Sequence, residues 1–300
     1  MAVGDEGSLR NAAGRAHSSV TGKRGSGVAT DLRRFARYPI YPRKTWLEKV
    51  ILRLGFGGPA WCPVCGSLTL ITRVRENLRE TCTCLRCKST NRQRQIAYVL
   101  CAAASRITGE EISSLGDLAR LDELVVYNTE AGRQIHAQLS GMRNYICSEY
   151  FGDAYESGDI VGGKPHQDLM NLSFDERSID LVISSDVFEH IPDPYKAHRE
   201  VYRVLRRGGR HVFTVPFLQS EFLDQDRTMI DIRGNVIFTK EPLYHKDPVR
   251  PEGALVHKLF SLEMLVKLRK IGFSTNIYHI RKATYGIFGS NALVFEAVKE

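Results

Sequence analysis

The spacing of hydrophobic positions changes along the chain, and each change marks a different kind of element. Residues 1–30 have no period: Gly, Ser, Ala and charged residues dominate, as in a disordered leader. Residues 31–58 switch to helical spacing. Asp31 is placed to cap a short helix carrying Leu32, Phe35 and Ala36, and after a break at 38–42 a second helix begins near Thr45 with Trp46, Val50, Ile51 and Leu54 in step. Arg43, Lys44, Lys49 and Arg53 are interleaved with them. A basic amphipathic helix of this kind packs on its own domain, or else lies on a membrane or a partner.

Residues 59–95 carry a thin apolar pattern, and the cysteines concentrate there. Five of the seven lie in Cys62-Pro-Val-Cys65-Gly and Cys82-Thr-Cys84-Leu-Arg-Cys87. Two Cys-x-x-Cys knuckles about eighteen residues apart each turn back and present two thiolates, the arrangement that encloses one tetrahedral Zn²⁺. Cys62, Cys65, Cys84 and Cys87 are the expected ligands, with Cys82 as the spare. Four thiolates leave no open position, so the expected role of the metal is structural. Disulfides are the competing reading, at odds with an opening stretch that lacks the apolar core of a secretory signal. The run 68–74 is β-prone enough for one arm of a hairpin. One helix follows over 89–107, polar at Asn91-Arg-Gln-Arg-Gln and apolar at Ile96, Leu100 and Ala104. Residues 96–122 thereby link the knuckle to the rest.

From residue 124 the pattern alternates between β-prone runs and helical periods. Strands are expected over 124–127, 144–149, 180–185, 211–215, 274–280 and 291–298, and helices over 132–139, 194–205 and 262–271. Strand and helix in alternation give right-handed crossovers and a parallel sheet covered on both faces, so residues 123–300 read as a doubly wound α/β domain. The last two strands are joined by too short a loop for a helical crossover and are expected to pair antiparallel. In such sheets the ligand sits at the carboxyl ends of the strands. Glu149, Asp168 and the Ser185-Asp186 pair fall at those ends, where carboxylates accept hydrogen bonds from a ribose diol or an adenine amino group. Each of them is alternatively a helix cap.

Composition adds limits. The chain has 300 residues, 43% hydrophobic and 25% charged, an ordinary globular balance. No apolar run reaches the roughly 18 residues of a membrane helix, and a cytoplasmic location is expected. Net charge is +8, but the first 95 residues hold eighteen Lys and Arg against six Asp and Glu. A basic front third suits RNA phosphates, an anionic lipid surface or an acidic partner, or simply keeps the chain solvated.

Three stretches carry a resemblance: 167–174; 179–191, with Asp186-Val-Phe-Glu-His-Ile191; and 197–216, with Leu205-Arg-Arg-Gly-Gly209. They look like the class I S-adenosylmethionine-dependent methyltransferases of small-molecule type, over residues 123–300. The resemblance implies a mostly parallel seven-stranded sheet with an antiparallel last strand, here preceded by a small zinc-binding module. It implies that Glu149 holds the ribose hydroxyls, that Asp168 with Leu169 faces the adenine, and that Ser185 and Asp186 line the methionine end. Gly208 and Gly209 would form the turn into the next strand, and His190 would lie where a helix enters the cleft. One departure concerns the loop after the first strand, where the family's three glycines are reduced to Gly132. Either Thr129 and Ala131 are small enough for the cofactor and Glu130 takes its ammonium group, or the chain is a fold relative that does not bind it.

Residues 217–260 form an insert long enough for a lid and acceptor site. It carries Glu221, Asp224, Asp226, His245, Asp247 and His257. His245 with Asp247 is the first choice for acceptor contact or general base, a neutral imidazole beside a carboxylate having a suitable pKa. An inert surface pair is the alternative. Three functional classes stay open: a methyltransferase for a small-molecule or sugar acceptor, an RNA methyltransferase using the basic front third, and a non-catalytic binding module.

Overall fold

The computed structural model describes residues 46–245, 253–289 and 293–300. The expected leader, the helix after Asp31 and the position of Asp247 lie outside the described residues. Helix α1 (Trp46–Leu54) is followed by strands β1 (Gly58–Cys62), β2 (Ser67–Thr72) and β3 (Thr83–Cys84), which form one antiparallel sheet in that order. The expected stripe on α1 is mostly unused. Ile51 is buried but Trp46 and Leu54 are exposed, because the helix meets the rest of the chain through one turn in which buried Glu48 accepts from Gly289 N.

Helix α2 (Asn91–Thr108) starts at a capping box in which Thr90 and Gln93 satisfy each other's backbone N–H groups. It ends at Gly109, whose φ of 79° supplies the left-handed C-cap. After the single turn α3 (Leu115–Leu118), the α/β unit runs β4 (Val126–Asn128), α4 (Arg133–Leu139), β5 (Tyr145–Cys147), β6 (Ile179–Ser185), α5 (Pro194–Val204), β7 (Leu205–Thr214), α6 (Leu262–Ile271), β8 (Phe273–His279) and β9 (Leu293–Lys299). The sheet order is β8-β9-β7-β6-β4-β5. Strands β5, β4, β6 and β7 are parallel, and β9 is antiparallel to both β7 and β8.

Alternate residues of β6 feed two cores. Leu181 and Ile183 join Ile96 and Leu100 of α2, whereas Val182 joins Val201 of α5 and Met264 and Leu268 of α6. Both faces of the sheet are therefore covered, which is why Leu181, Val182 and Ile183 of β6 are apolar and buried in succession rather than alternating with polar residues.

The sheet has six strands among the described residues, not the seven that the resemblance implies. At the place beside β5 where another parallel strand belongs there is one parallel bridge, Glu149 to His166. Residues 160–165 instead form a tiny hairpin around Gly162 and Gly163, and Pro165, which lacks an N–H, cannot extend a ladder. A second correction concerns Gly208 and Gly209. They lie inside β7, not ahead of it, at a register shift where Gly208 takes φ of 78° and a Cβ on Gly209 would sit 2.8 Å from the Arg206 carbonyl.

Candidate active site

The chain leaves β4 toward β5 on one side and toward β6 on the other, so the strand order reverses between β4 and β6. A cavity of about 1020 Å³ opens there. Thr129, Glu130, Glu149, Asp168, Leu169, Ser185, Asp186 and His190 all line it, brought in from the loops after β4, β5 and β6. Gly132 does not; it stands as N-cap of α4 in extended conformation. The insert forms the opposite wall through Ile230, Val236, Ala254 and His257. It is built from three short hairpins, pairing 225–226 with 258–259, 228–230 with 236–238 and 244–245 with 254–255.

The lining groups differ in how far their polar atoms are already used. Glu149 Oε1 accepts from Ala131 N at 3.0 Å, which ties the end of β5 to the loop after β4. Asp168 Oδ1 accepts from Met170 N at 2.8 Å. Glu130 is paired with Arg133 at 2.8 Å, and burial raises its carboxyl above the ordinary value against the pull of that arginine. Thr129 Oγ1, on a residue that lines the cavity, is buried and without a hydrogen-bond partner.

Asp186 is the most heavily engaged. Arg79 grips both carboxylate oxygens, at 2.6 and 2.8 Å, while Arg92 donates to Oδ2 at 2.6 Å and Thr214 to Oδ1 at 2.8 Å. Glu80 closes the network by pairing with both arginines. Burial alone would raise the Asp186 carboxyl, yet the two guanidinium groups hold it well below the usual carboxylate range. Arg79 comes from the loop between β2 and β3, and Arg92 from the first turn of α2. Asp186 thus lines the cavity with its carboxylate already held by this pairing.

That first turn of α2 is polar and fully removed from water. Arg94 donates to the carbonyls of Ser89, Cys82 and Gly286, and Asn91 exchanges two hydrogen bonds with the backbone of Phe288. The sequence Asn91-Arg-Gln-Arg-Gln is thus a buried bolt joining the cysteine module to the sheet.

In the module, the sulfurs of Cys62, Cys65, Cys84 and Cys87 lie within 4.8 Å of one another. Cys62 Sγ and Cys87 Sγ are 3.8 Å apart, and the edge of a tetrahedron with Zn–S bonds of ~2.3 Å is about 3.8 Å. The four residues therefore fit a Zn²⁺ ion. Cys82 packs elsewhere, in the small apolar core with Ile51, Ile71 and Phe288, where burial pushes its thiol up to about 11.

His245 lies on the last short strand before residue 246, and among the described residues the carboxylate beside it is Glu189. Glu189 sits with His190 on one 3-10 turn after β6; its Oε1 is 3.7 Å from His190 Nε2 and 3.6 Å from His245 Nδ1. The Glu189 carboxylate holds the His245 imidazole above its ordinary value. His190 Nδ1 is 2.8 Å from the Leu255 carbonyl. Other insert acids serve as pins: Asp224 accepts from Tyr195 and from Ser261 N, and Asp226 pairs with Lys258. Glu189, Arg79 and Arg92 were absent from the expected site. An acid directly before a candidate histidine is the signal that marks Glu189; nothing local marks the arginines.

Residues 158–213 match a methyltransferase domain family. The matched segment spans Asp168, Leu169, Ser185, Asp186, Glu189 and His190, all at the cavity or directly behind it. Three curated relatives from Mycobacterium sp. (strains KMS, JLS and MCS), each an uncharacterized methyltransferase, are 43% identical over 44 residues, 15% of this chain. The chain spans 18% of the length of these relatives. Among solved structures, an S-adenosylmethionine dependent methyltransferase from Mesorhizobium loti is 18% identical over 58% of this chain and 90% of its own, with a TM-score of 0.37. A putative S-adenosylmethionine dependent methyltransferase from Listeria monocytogenes is 13% identical over 66% and 99%, with a TM-score of 0.38. No helix among the described residues is long and apolar enough to cross a membrane.

Proposed function

We propose that this chain is an S-adenosylmethionine-dependent methyltransferase acting on a small-molecule or sugar acceptor, with a structural Zn²⁺ on Cys62, Cys65, Cys84 and Cys87. The observation that carries the reading is the convergence of Thr129, Glu149, Asp168, Leu169 and His190 on one cavity where the strand order reverses. Glu149 and Asp168 would meet the ribose and adenine, Leu169 would pack on the ring, and the orphaned Thr129 hydroxyl would gain the partner it lacks. When bound, the cofactor supplies an electrophilic methyl group. The protein's part is then alignment and exclusion of water, and for a hydroxyl acceptor a group that takes its proton. His190 lines the cavity, with the His245 ring beside it, which supports an acceptor end between the turn at 188–190 and the insert.

The RNA reading loses support because Arg79, Arg92 and Arg94, all in the basic front third, are engaged inside the protein rather than offered to phosphates. A cytoplasmic location goes with the proposed role. Calorimetric titration with S-adenosylmethionine and its demethylated product tests the proposal. Both should bind, and Glu149→Ala should weaken binding by about 1–3 kcal/mol, the cost of a lost charge-assisted acceptor. Absence of binding at millimolar cofactor would make the chain a non-catalytic fold relative. A salt-dependent RNA mobility shift would restore the RNA acceptor.

A further inference from the structure

Glu189 has no part in the alignment or proton transfer proposed for the cleft and, unlike Glu130 and Asp186, which are paired with arginines, it meets no guanidinium group at ion-pair distance among the described residues. Its side chain is fully buried, yet neither carboxylate oxygen has a hydrogen-bond partner. A buried anion is costly unless something positive meets it. The arginines of the neighbouring network are turned to Asp186 and Glu80. What does face Glu189 is nitrogen. His190 Nδ1 lies against the Leu255 carbonyl, which offers only lone pairs, so Nδ1 carries a hydrogen and Nε2 is the nitrogen turned toward Glu189. His245 Nδ1 approaches the same oxygen from the insert.

The three ligand atoms lie within 4.8 Å of one another. The distances from Oε1 to the two nitrogens, 3.7 and 3.6 Å, are too long for hydrogen bonds. They are near the ~3.4 Å edge of a tetrahedron with metal–ligand bonds of about 2.1 Å. We propose that Glu189, His190 and His245 are the ligands of a divalent transition-metal ion, a second metal site separate from the four cysteines. Two imidazoles and one carboxylate suit Zn²⁺, Co²⁺ or Fe²⁺ better than Mg²⁺ or Ca²⁺, which prefer all-oxygen shells. Three protein ligands leave a position for water or an oxygen donor of the acceptor. That last point rests on the acceptor end lying here; the metal site itself does not. Because Glu189 and His190 belong to the turn after β6 and His245 to the insert, the ion would also join the two walls of the cleft.

The test is titration of the full, zinc-replete chain with Co²⁺, followed by calorimetry and visible absorption. The inference expects one Co²⁺ beyond the cysteine site, with weak ligand-field bands of nitrogen and oxygen ligation and none of the intense sulfur charge-transfer bands of a thiolate site. Glu189→Gln and His245→Ala should each weaken that binding at least about tenfold while the zinc content stays at one per chain. Wild-type protein that takes up no further Co²⁺ or Zn²⁺, or variants that bind as the wild type does, would overturn it. The wild-type titration decides even if a variant fails to fold. Co²⁺ uptake without cofactor binding would leave the metal site standing and remove the methyltransferase reading; cofactor binding without Co²⁺ uptake would do the reverse.

Discussion

Asp186 and Glu189 are three residues apart on the turn that leaves β6; the first is partly buried at the edge of the cavity and the second fully buried. Asp186 is met by two guanidinium groups, a hydroxyl and, at its backbone N–H, the Thr214 carbonyl. Glu189 has no hydrogen bond at all on its side chain. The charged partners of Asp186 come from the cysteine module and the start of α2, and Thr214 from the end of β7, so that side of the turn is a weld between two parts of the fold. On the Glu189 side only imidazoles approach, and one of them is carried by the insert. The carboxylate of Asp186 is saturated by fixed partners, whereas that of Glu189, more deeply buried, is the one left for the proposed metal ion. The backbone supports the division: Asp186 is held at φ of 54°, a conformation that aspartate tolerates better than most residues, which turns its side chain to the module while the chain continues toward the insert.

The largest way to break this contrast is to remove the Zn²⁺ ion proposed for the four cysteines. Metal binding to a four-thiolate module of this size supplies folding free energy on the order of 10 kcal/mol. Stripping it with a strong chelator should unfold the segment from β1 to β3, release Arg79, and leave Asp186 with half its counter-charge. Cofactor affinity, read by calorimetry, should fall with the zinc content. If affinity is untouched in zinc-free protein, the weld is not transmitted to the cleft.

A smaller effect is expected from Asp186→Ala. It leaves Arg79 and Arg92 with Glu80 as their remaining anion, and loss of one partner from such a network costs about 3 kcal/mol. Chemical denaturation would show it as a lowered midpoint at unchanged slope. A change under about 0.5 kcal/mol, the range of an inert surface substitution, would mean that the network is surface decoration.

Between the two carboxylates, Phe188 points to the back of the turn and stacks on His198, with ring centroids 4.1 Å apart and His211 next to it at 5.2 Å. Both histidines are fully buried, and burial lowers the His198 imidazole well below its ordinary value and His211 from 6.5 to about 3. Their folded values are depressed, so the unfolded chain holds more protons between those values and 6.5, and stability falls as pH drops through that window. Each contributes about 1.4 kcal/mol per pH unit there. The pairing of Asp186, held below the carboxylate range, fails only in stronger acid. Urea midpoints at pH 7 and pH 5 should differ accordingly, and His198→Phe, which keeps the stack, should reduce the difference. An unchanged pH dependence in that variant would place the acid sensitivity elsewhere.

Much of the frame is legible from sequence because its signals are local. The helical period over 262–271 gives α6 residue for residue, and the short final loop gives the antiparallel β9. The cysteine spacing places four sulfurs together because a knuckle is a property of a few consecutive residues. What escapes is long-range. Arg79 and Arg92 reach Asp186 across 107 and 94 positions, and no window of sequence contains both ends. Asn91-Arg-Gln-Arg-Gln reads as a solvated helix start, since composition alone cannot show that tertiary carbonyls at Phe288 and Gly286 will replace water. The seventh strand fails for a local reason, the proline and glycines of 162–165, although the resemblance masks it. Glu189 sits in the middle of the most recognisable motif and is missed because its importance lies in having no partner, which only coordinates reveal.

The smallest effect sharpens the comparison most. Glu189→Gln keeps the shape of the side chain and removes a buried charge that no hydrogen bond compensates. In protein without added divalent metal it should therefore change stability by no more than about 1 kcal/mol, and in the stabilising direction, because the amide is cheaper to bury than the carboxylate. Asp186→Asn, the same change three residues earlier, should destabilise, since there the charge is paired. The sign difference between two isosteric substitutions is independent of how large either is. Addition of Co²⁺ should then invert the order at Glu189, stabilising the wild type by an amount that grows with metal concentration and leaving the Gln variant where it was. Thermal denaturation with and without the ion reads both. Equal destabilisation by the two substitutions would mean that Glu189 is held by contacts of the same kind as Asp186, and the division of the turn into a welded side and an open side would fall.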